Sequence, residues 1–370
     1  MGLPLATAPT RILSANRLTA SLAALFAITA GAAPGATPDA AGSGSAEIVA
    51  RRSVGFRVSI AASVLNGESL LVGDGRRHLV LLDAEGLEET RRMPIYHGST
   101  KRSLAVTPDK RYVVVSSQSI DLNKLAPVKF FDVSSAIKGE PHAYAFAFAV
   151  SPDGRSALLY VFAPVDQRFA ALVLFDLKSG KLLKTLDTEN SQHIDNACFL
   201  DAKEVAIHQR DGQIVAIDVN NGKRRVLTRN APRLIPSPAI NAYMCASGDG
   251  DRLVVSGHPE FVVLDVDGEK EVSRTRVEIG NAVRVLGGQF FVFQGADVSE
   301  VPPLSPDGFY RPFFGCVRVS DGQVVAKVKR DGLYETLIPG GSASALYGIK
   351  YDTVSRLVFD WPEAVRRAGR

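Results

Sequence analysis

The 370-residue sequence is poor in several features that would point to particular protein classes. Its three cysteines are too few for a small domain held together by disulfide bonds. Its 43 lysines and arginines barely exceed its 39 aspartates and glutamates, which argues against a dedicated nucleic-acid-binding protein. It has no Gly-x-Ser-x-Gly elbow, phosphate-binding loop, His-Glu-x-x-His helix or zinc-ligand spacing. We therefore predict no catalytic residue, no metal site and no cofactor from motifs.

The N-terminal segment has the pattern of an export signal. Arg11 and Arg17 are its only charges before Asp39, and they precede an apolar run that is shorter than the roughly 20 residues of a membrane span. Small residues follow it, so we expect a signal peptide over 1–32, with a mitochondrial transit peptide as the alternative. An Ala-, Gly-, Pro- and Ser-rich linker over 33–46 and a folded domain over 47–370 should follow. These expectations imply a periplasmic or secreted protein that does not span the membrane after cleavage.

A pair of short strands joined by a turn recurs along the chain. The segments 103–117 and 146–160 each contain an apolar strand, a Pro-Asp turn and a second strand rich in β-branched or aromatic residues. Looser copies begin at Ile60, Ala197, Tyr243, Val283 and Tyr334. Seven such units predict a repeat architecture.

A second periodic signal lies between these strand pairs. Apolar strands are predicted to end at Asp83, Asp132, Asp176, Asp218 and Asp265, at steps of 42 to 49 residues. Such spacing, without helical periodicity, predicts an all-β fold: a seven-bladed β-propeller of four-stranded blades. The seventh unit supplies only three strands, so we expect the strand 47–53 to complete the last blade and close the ring. Closure limits the exposed sheet edges.

Two stretches resemble known families. The segment Ala105–Ser116, Ala-Val-Thr-Pro-Asp-Lys-Arg-Tyr-Val-Val-Val-Ser, resembles the repeat of YVTN and WD40-like bacterial propellers. The segment Ser151–Val215 more weakly resembles the heavy chain of periplasmic amine dehydrogenases, with Ser-Pro-Asp-Gly-Arg at its start and Ala-Ile-His-Gln-Arg-Asp-Gly near its end. That subunit is a seven-bladed propeller without a cofactor, which holds a light chain bearing a quinone. The resemblances imply the fold rather than an activity.

Several chemically reactive side chains recur with the repeat, which favours a structural role. Small residues align in the predicted inner strands: Ala62, Ala105, Ala149, Cys198 and Cys245. The two cysteines either fill space in a tight core or form a disulfide in an exported protein, while Cys316 is expected to be buried and unpaired. Asp109, Asp153 and Asp249 are interpreted as turn formers whose carboxylates bond local backbone amides.

The histidines are all predicted at one end of the ring. Two connection types emerge there: those from a fourth strand to the first strand of the next blade, and those from a second strand to a third. We call this end the loop rim and the opposite end the turn rim. His97, His142 and His193 fall in the first connection type, and His78, His208 and His258 in or beside the second. Solvated loop histidines, a ligand or partner site, and a metal site are the three interpretations.

Long connections and basic residues are predicted at the same rim. The segments 118–127, 163–168 and 295–312 are interpreted as insertions between second and third strands. Phe309, Tyr310, Phe313 and Phe314 flank Arg311, and they either form a hot spot for a protein partner or plug the channel. Lys101, Arg229 and other basic residues at this rim would suit an anionic ligand. The candidate binding residues are His97, Arg102, His142, His193, His208, Arg210, Arg233, His258, Tyr310 and Arg311.

Three functional hypotheses follow. The first is an exported, non-catalytic binding or scaffold protein whose loop rim takes a protein partner or a small anionic ligand, and not a nucleic acid. The second is a lactonase-like hydrolase with a site at the channel mouth, where histidine and arginine would supply acid–base groups. The third is a heavy-chain-like subunit of a periplasmic amine dehydrogenase. Enzymatic activity is left open.

Overall fold

A computed structural model describes residues 45–74, 77–95, 104–137, 143–163, 170–187, 194–232, 243–247, 249–256, 260–276, 281–285, 290–297, 311–329, 334–340 and 345–360. The described residues form seven antiparallel sheets of four strands each, arranged as the blades of a propeller. Two short 3₁₀ turns, Leu65–Gly67 and Val133–Ala136, are the helical elements of the described residues. The predicted all-β, seven-bladed fold is therefore confirmed.

Blades 1 to 3 follow one another along the chain, each with its strands in sequence order. The strands of blade 1 are β2 (Ile60–Val64), β3 (Ser69–Gly73), β4 (His78–Asp83) and β5 (Glu89–Pro94). Those of blade 2 are β6 (Leu104–Val106), β7 (Tyr112–Val115), β8 (Gln118–Asp121) and β9 (Ala126–Phe130). Those of blade 3 are β10 (Tyr144–Val150), β11 (Ser156–Phe162), β12 (Ala170–Asp176) and β13 (Leu182–Asp187).

Blades 4 to 6 repeat this order. The strands of blade 4 are β14 (Ile194–Phe199), β15 (Glu204–Gln209), β16 (Ile214–Asp218) and β17 (Arg224–Thr228). Those of blade 5 are β18 (Tyr243–Ala246), β19 (Arg252–Ser256), β20 (Glu260–Asp265) and β21 (Lys270–Arg276). Those of blade 6 are β22 (Asn281–Val285), β23 (Phe290–Asp297), β24 (Arg311–Arg318) and β25 (Val324–Lys329).

Blade 7 combines the two ends of the described chain. Its strands are β26 (Thr336–Pro339), β27 (Ala345–Lys350), β28 (Thr353–Asp360) and, on the outer edge, β1 (Ser45–Ser53). Strand β1 pairs antiparallel with β28 from Ser45 opposite Asp360 to Ser53 opposite Thr353. The first strands of neighbouring blades contact one another, and β26 contacts β2, which closes the ring as expected.

The core is divided among the blade interfaces. Each pair of neighbouring blades encloses one cluster of buried apolar side chains, and the second and third strands are buried on both faces. Buried hydrogen bonds between blades add to this packing. The Tyr347 hydroxyl of blade 7 donates to the Ala84 carbonyl of blade 1 over 2.9 Å. The buried Gln294 amide of blade 6 donates to the Tyr334 carbonyl at 2.5 Å and accepts from the Tyr334 N–H at 3.3 Å.

Blade 2 differs from the sequence prediction. The segment 118–127 is not an insertion: Gln118–Asp121 is the third strand, joined to β7 through Ser116 and Ser117 alone. Asp132 therefore follows the fourth strand rather than ending the third, and Asp121 takes the hairpin position, accepting from the Asn123 N–H at 2.9 Å. The prediction was wrong because the apolar Phe130–Phe131 pair resembles a strand end more closely than the mixed sequence of β8 does.

The other two predicted insertions lie between second and third strands. Residues 164–169 and 298–310 are outside the described residues, while Gly295–Asp297 and Arg311–Pro312 belong to the paired strands β23 and β24. In blade 6, Arg318 rather than an aspartate ends the third strand, and Asp321 of the following turn pairs with its guanidinium.

Candidate functional site

The turn rim uses its carboxylates to hold backbone turns. The buried Ser151 hydroxyl accepts from the Ser156 N–H at 2.9 Å and donates to Asp153 Oδ1 at 2.6 Å. Asp153 Oδ1 also accepts from the Arg155 N–H at 3.0 Å, and these hydrogen bonds, the serine hydroxyl first, lower the pKa of this carboxyl. The same arrangement recurs around Asp109 and Asp249, so these aspartates are turn formers as predicted.

The loop rim is described only in part. Seven predicted site residues lie outside the described residues: His97, Arg102, His142, His193, Arg233, His258 and Tyr310. Arg311 begins β24, and its side chain is also outside the description. The prediction of a surface aromatic cluster beside Arg311 is wrong for two of its residues. Phe313 and Phe314 are buried in the faces of blade 6, Phe313 against Phe293 and Phe314 against Phe359.

His208 lies one residue before the end of β15 and is completely buried, so it is a strand residue rather than an exposed loop residue. Because Ala206 on the same strand packs against blade 5, the strand alternation directs His208 to that interface too. Neither ring nitrogen has a hydrogen-bond partner among the described residues. Burial lowers the pKa of His208 to about 4, and the negative charge of the Asp211 carboxylate opposes this only partly. His208 is therefore neutral at neutral pH and is shielded from ligands in solution.

His78 is the loop-rim histidine with an exposed side chain among the described residues. Asp74 Oδ1 accepts from the N–H groups of Arg77 at 2.7 Å and His78 at 2.9 Å, which holds the turn before β4. Asp74 Oδ2 lies 3.0 Å from His78 Nδ1. This carboxylate favours the tautomer with a proton on Nδ1, which leaves Nε2 as an acceptor towards a ligand. The side chain of His78 is 42% exposed.

Aromatic and cationic side chains surround this dyad. The Phe56 ring stacks on the His78 ring with centroids 5.8 Å apart and planes inclined by 19°. The Arg92 guanidinium carbon lies 5.8 Å from the Phe56 centroid. Phe56 comes from the connection between β1 and β2, so this contact joins two connections of the loop rim across the ring closure. We call Phe56, Asp74, His78 and Arg92 the dyad cluster.

A larger aromatic group lies on the first two strands of blade 3. We call Tyr144, Phe146, Phe148, Tyr160 and Phe162 the aromatic stack. Tyr144 faces Phe162 across the strands with ring centroids 5.9 Å apart, and Phe146 faces Tyr160 at 6.2 Å with planes inclined by only 8°. Phe162 also lies 4.9 Å from Phe146. Tyr144 is exposed and the other four rings are partly buried.

Blade 4 contributes an ion pair to this region. Arg210 Nε lies 3.4 Å from Asp195 Oδ1, and the arginine side chain is 67% exposed against 18% for the aspartate. The pKa of Tyr160 is raised mainly by burial; the Arg210 charge opposes this shift and the Asp195 charge adds to it. Strands β10 and β14 contact each other, so Arg210, a predicted site residue paired with Asp195 of β14, lies at the loop-rim end of the blade next to the aromatic stack. The sequence analysis did not select these aromatic residues. The alternation of aromatic residues at 144, 146 and 148 in an inner strand was the available signal.

The cysteines carry no exposed reactive thiolate. Cys198 and Cys245 lie in the first strands of blades 4 and 5 as expected, and none of the three cysteines forms a disulfide bond. Burial, reinforced by the neighbouring Cys245 thiol, raises the pKa of Cys198, and burial raises the pKa of Cys316 to about 12. Across the described ranges, no three His, Cys, Asp or Glu side chains converge to hold a metal ion. The same ranges contain no helix with the length and apolarity needed to cross a membrane.

No family model matches this chain, and no curated protein matches it. Among solved structures, the chain is similar to the β-propeller domain of Cps50 (Swd1) from Myceliophteria thermophila, with a TM-score of 0.56 and 11% sequence identity. The similarity covers 83% of this chain and 99% of that chain. At this identity it supports the propeller fold and carries no function across. The YVTN and amine dehydrogenase resemblances are not confirmed by these comparisons.

Proposed function

We propose that this chain is an exported β-propeller that acts as a non-catalytic binding or scaffold protein through its loop rim. The observation that carries the proposal is the aromatic stack, five aromatic side chains of which Tyr144 is exposed and none is completely buried. An exposed ring that continues a group of partly buried rings offers apolar surface to a partner. The contrast with the turn rim supports the same end of the ring, because there the repeated carboxylates are engaged by local amides.

Export to the periplasm or exterior is part of this proposal and is supported by the N-terminal sequence alone. Arg11 and Arg17 precede an apolar run and small residues, as in a cleaved signal. The YVTN-like segment 105–116 is consistent with an envelope or secreted propeller. Cleavage near Ala32 is tested by N-terminal sequencing of the mature protein from a host that exports it.

Site-specific crosslinking tests the binding role. A photo-reactive amino acid at position 144 on the loop rim is compared with one at Lys178, an exposed residue of the turn between β12 and β13. We expect a discrete crosslinked product, identified by mass spectrometry, from position 144 and none from position 178. Equal crosslinking from both positions, or none from several loop-rim positions, would contradict the proposal.

One observation favours a second candidate, a lactonase-like hydrolase. Asp74 orients His78 and leaves Nε2 as an acceptor, which is the arrangement of a general base. A panel of small lactones incubated with the full chain tests this. Turnover that is lost in both His78→Gln and Asp74→Asn, with folding retained, would favour the hydrolase over the scaffold.

A further inference from the structure

We propose that the aromatic stack and Arg210 bind an extended segment of a partner protein in which an aromatic side chain lies next to an acidic one. This inference rests on the proposed binding function of the loop rim and names the chemistry of its partner. The stack has more rings than blade packing requires, its end is exposed, its ring geometry accepts another ring, and the Arg210 guanidinium has donors for a carboxylate.

The aromatic stack lies on the face of blade 3 towards blade 4, where Phe148 and Tyr160 pack against the core cluster while Tyr144, Phe146 and Phe162 do not belong to it. On β10, Ala145 and Ala147 are the residues buried against blade 2, and they alternate with Tyr144, Phe146 and Phe148. The first strands β2 and β6 contain no aromatic residue. Repeat packing therefore does not require three alternating rings in an inner strand.

The exposed end of the aromatic stack is at the loop rim. Tyr144 begins β10 and is 46% exposed, and its cross-strand neighbour Phe162 ends β11. Residues 144 and 162 thus directly flank the two connections that open on this rim.

The ring geometry favours addition of another planar group. Tyr144 with Phe162, Phe162 with Tyr160 and Tyr160 with Phe146 are inclined by 26°, 24° and 8°. A series of nearly parallel, offset rings is extended at its exposed end by one more aromatic ring. Tyrosine, phenylalanine and arginine are also the residue types that concentrate at protein interfaces.

Arg210 determines the charge of the partner. Asp195 contacts its Nε, and within the described residues its terminal nitrogens donate no hydrogen bond. Those nitrogens offer parallel donors that fit a carboxylate. Asp195 is mostly buried, so the arginine is the charged group of this pair that a partner meets first. A small anion would use Arg210 but not the rings, which is why a peptide with both groups fits better.

Selection from a displayed library of random 12-residue peptides tests the inference on the immobilised full chain. We expect enriched peptides to carry an aromatic residue within a few positions of Asp or Glu. Tyr144→Ala and Arg210→Gln should each weaken binding of a selected peptide by about tenfold or more. Arg210→Lys should also weaken it, because lysine keeps the charge but loses the paired donors.

Matched controls lie away from the aromatic stack. Phe130→Ala removes a comparably exposed ring from the outer strand of blade 2, and Arg155→Gln removes an exposed arginine of the turn rim. Both should leave peptide affinity unchanged. Circular dichroism and thermal unfolding of every variant should match the parent chain.

Three results would overturn the inference: no enriched peptide, enriched peptides without acidic residues, or peptides insensitive to Tyr144→Ala. Peptides that instead lose affinity in Phe56→Ala and His78→Ala would assign binding to the dyad cluster. In that case the proposed loop-rim function stands while this inference fails. Crosslinking from position 78, a loop-rim position outside the aromatic stack, compared with position 178 tests the function separately.

Discussion

The two rims of the ring use polar side chains differently. At the turn rim, Asp153 and Asp218 bond amides two or three residues away. The pKa of Asp153 is lowered mainly by the Ser151 hydroxyl, and that of Asp218 by the backbone amides. At the loop rim, Asp74 also bonds local amides, but His78 in addition stacks on Phe56 from the connection that follows blade 7. Repeated residues therefore stabilise the fold locally, whereas the residues that break the repeat form the candidate binding surface.

The largest predicted effect is a loss of stability in acid, which begins at a higher pH for His208 than for the turn-rim aspartates. His208 has a folded-state pKa of about 4 against an ordinary value of 6.5, so the unfolded chain binds the proton more readily. Its contribution to stability is complete above pH 6.5 and is lost as pH falls towards 4, by about 3 kcal/mol. The turn-rim aspartates have lowered pKa values, so their contribution is lost only below about pH 4.

Urea unfolding between pH 7 and pH 4 measures this effect. His208→Leu should remove most of the loss over that range, while His78→Gln, at an exposed histidine of the same rim, should retain it. If the parent chain and His208→Leu lose stability in parallel, the burial of His208 is not the cause.

Removing one turn-rim hydroxyl should have the next largest effect. Ser151→Ala deletes the acceptor for the Ser156 N–H and the donor to Asp153, which should lower the free energy of unfolding by about 1–2 kcal/mol. The pKa of Asp153, measured by NMR titration, should rise towards its ordinary value because the hydroxyl is the main cause of its lowering. Ser320→Ala, at an exposed serine after β24, is the control and should change stability by less than about 0.5 kcal/mol.

Asp74→Ala should loosen the loop rim locally by about 1 kcal/mol or less. The amides of Arg77 and His78 lose their acceptor, so their hydrogen exchange should accelerate while exchange in β3 stays slow. Asp74→Asn keeps a side-chain oxygen and should preserve most of the protection. Equal acceleration throughout blade 1 would mean that Asp74 supports the whole blade.

Tyr144→Ala should have the smallest effect on stability, below about 0.5 kcal/mol in urea unfolding, because this ring is the most exposed of the aromatic stack. Phe146→Ala should cost more, since Phe146 is partly buried and contacts two rings. A large loss for Tyr144→Ala would show that the stack is a structural element, as the turn-rim residues are.

The repeat was predictable because its signals are local. The Pro-Asp turns and the strand pairs around them lie within about 15 residues, and their residue types alone indicate turns and strands. Residue types alone gave a wrong prediction in blade 2, where Gln118–Asp121 was interpreted as part of an insertion. This segment is a buried strand although it contains Gln, Ser and Asp. Burial of a strand between two blades is decided by its neighbours in space, which the segment itself does not reveal.

From the sequence, only the end of the ring that carries the candidate site was predictable, and not the contacts between its residues. Arg210 was selected from its position in a connection, but its neighbours Tyr160 and Asp195 come from separate strands. Phe313 and Phe314 were selected as surface aromatics because they follow a Pro-rich segment, yet pairing with β23 and β25 buries both. A side chain's exposure depends on which strand covers it.

The amino-acid pattern by itself determined the number of blades, the closing strand and the role of the turn aspartates, because each depends on periodicity or on hydrogen bonds between residues close in the chain. Only the tertiary structure decided which side chains meet at the loop rim. Phe56 and His78 are separated by 22 residues, and they come together because ring closure brings the connection after β1 beside blade 1.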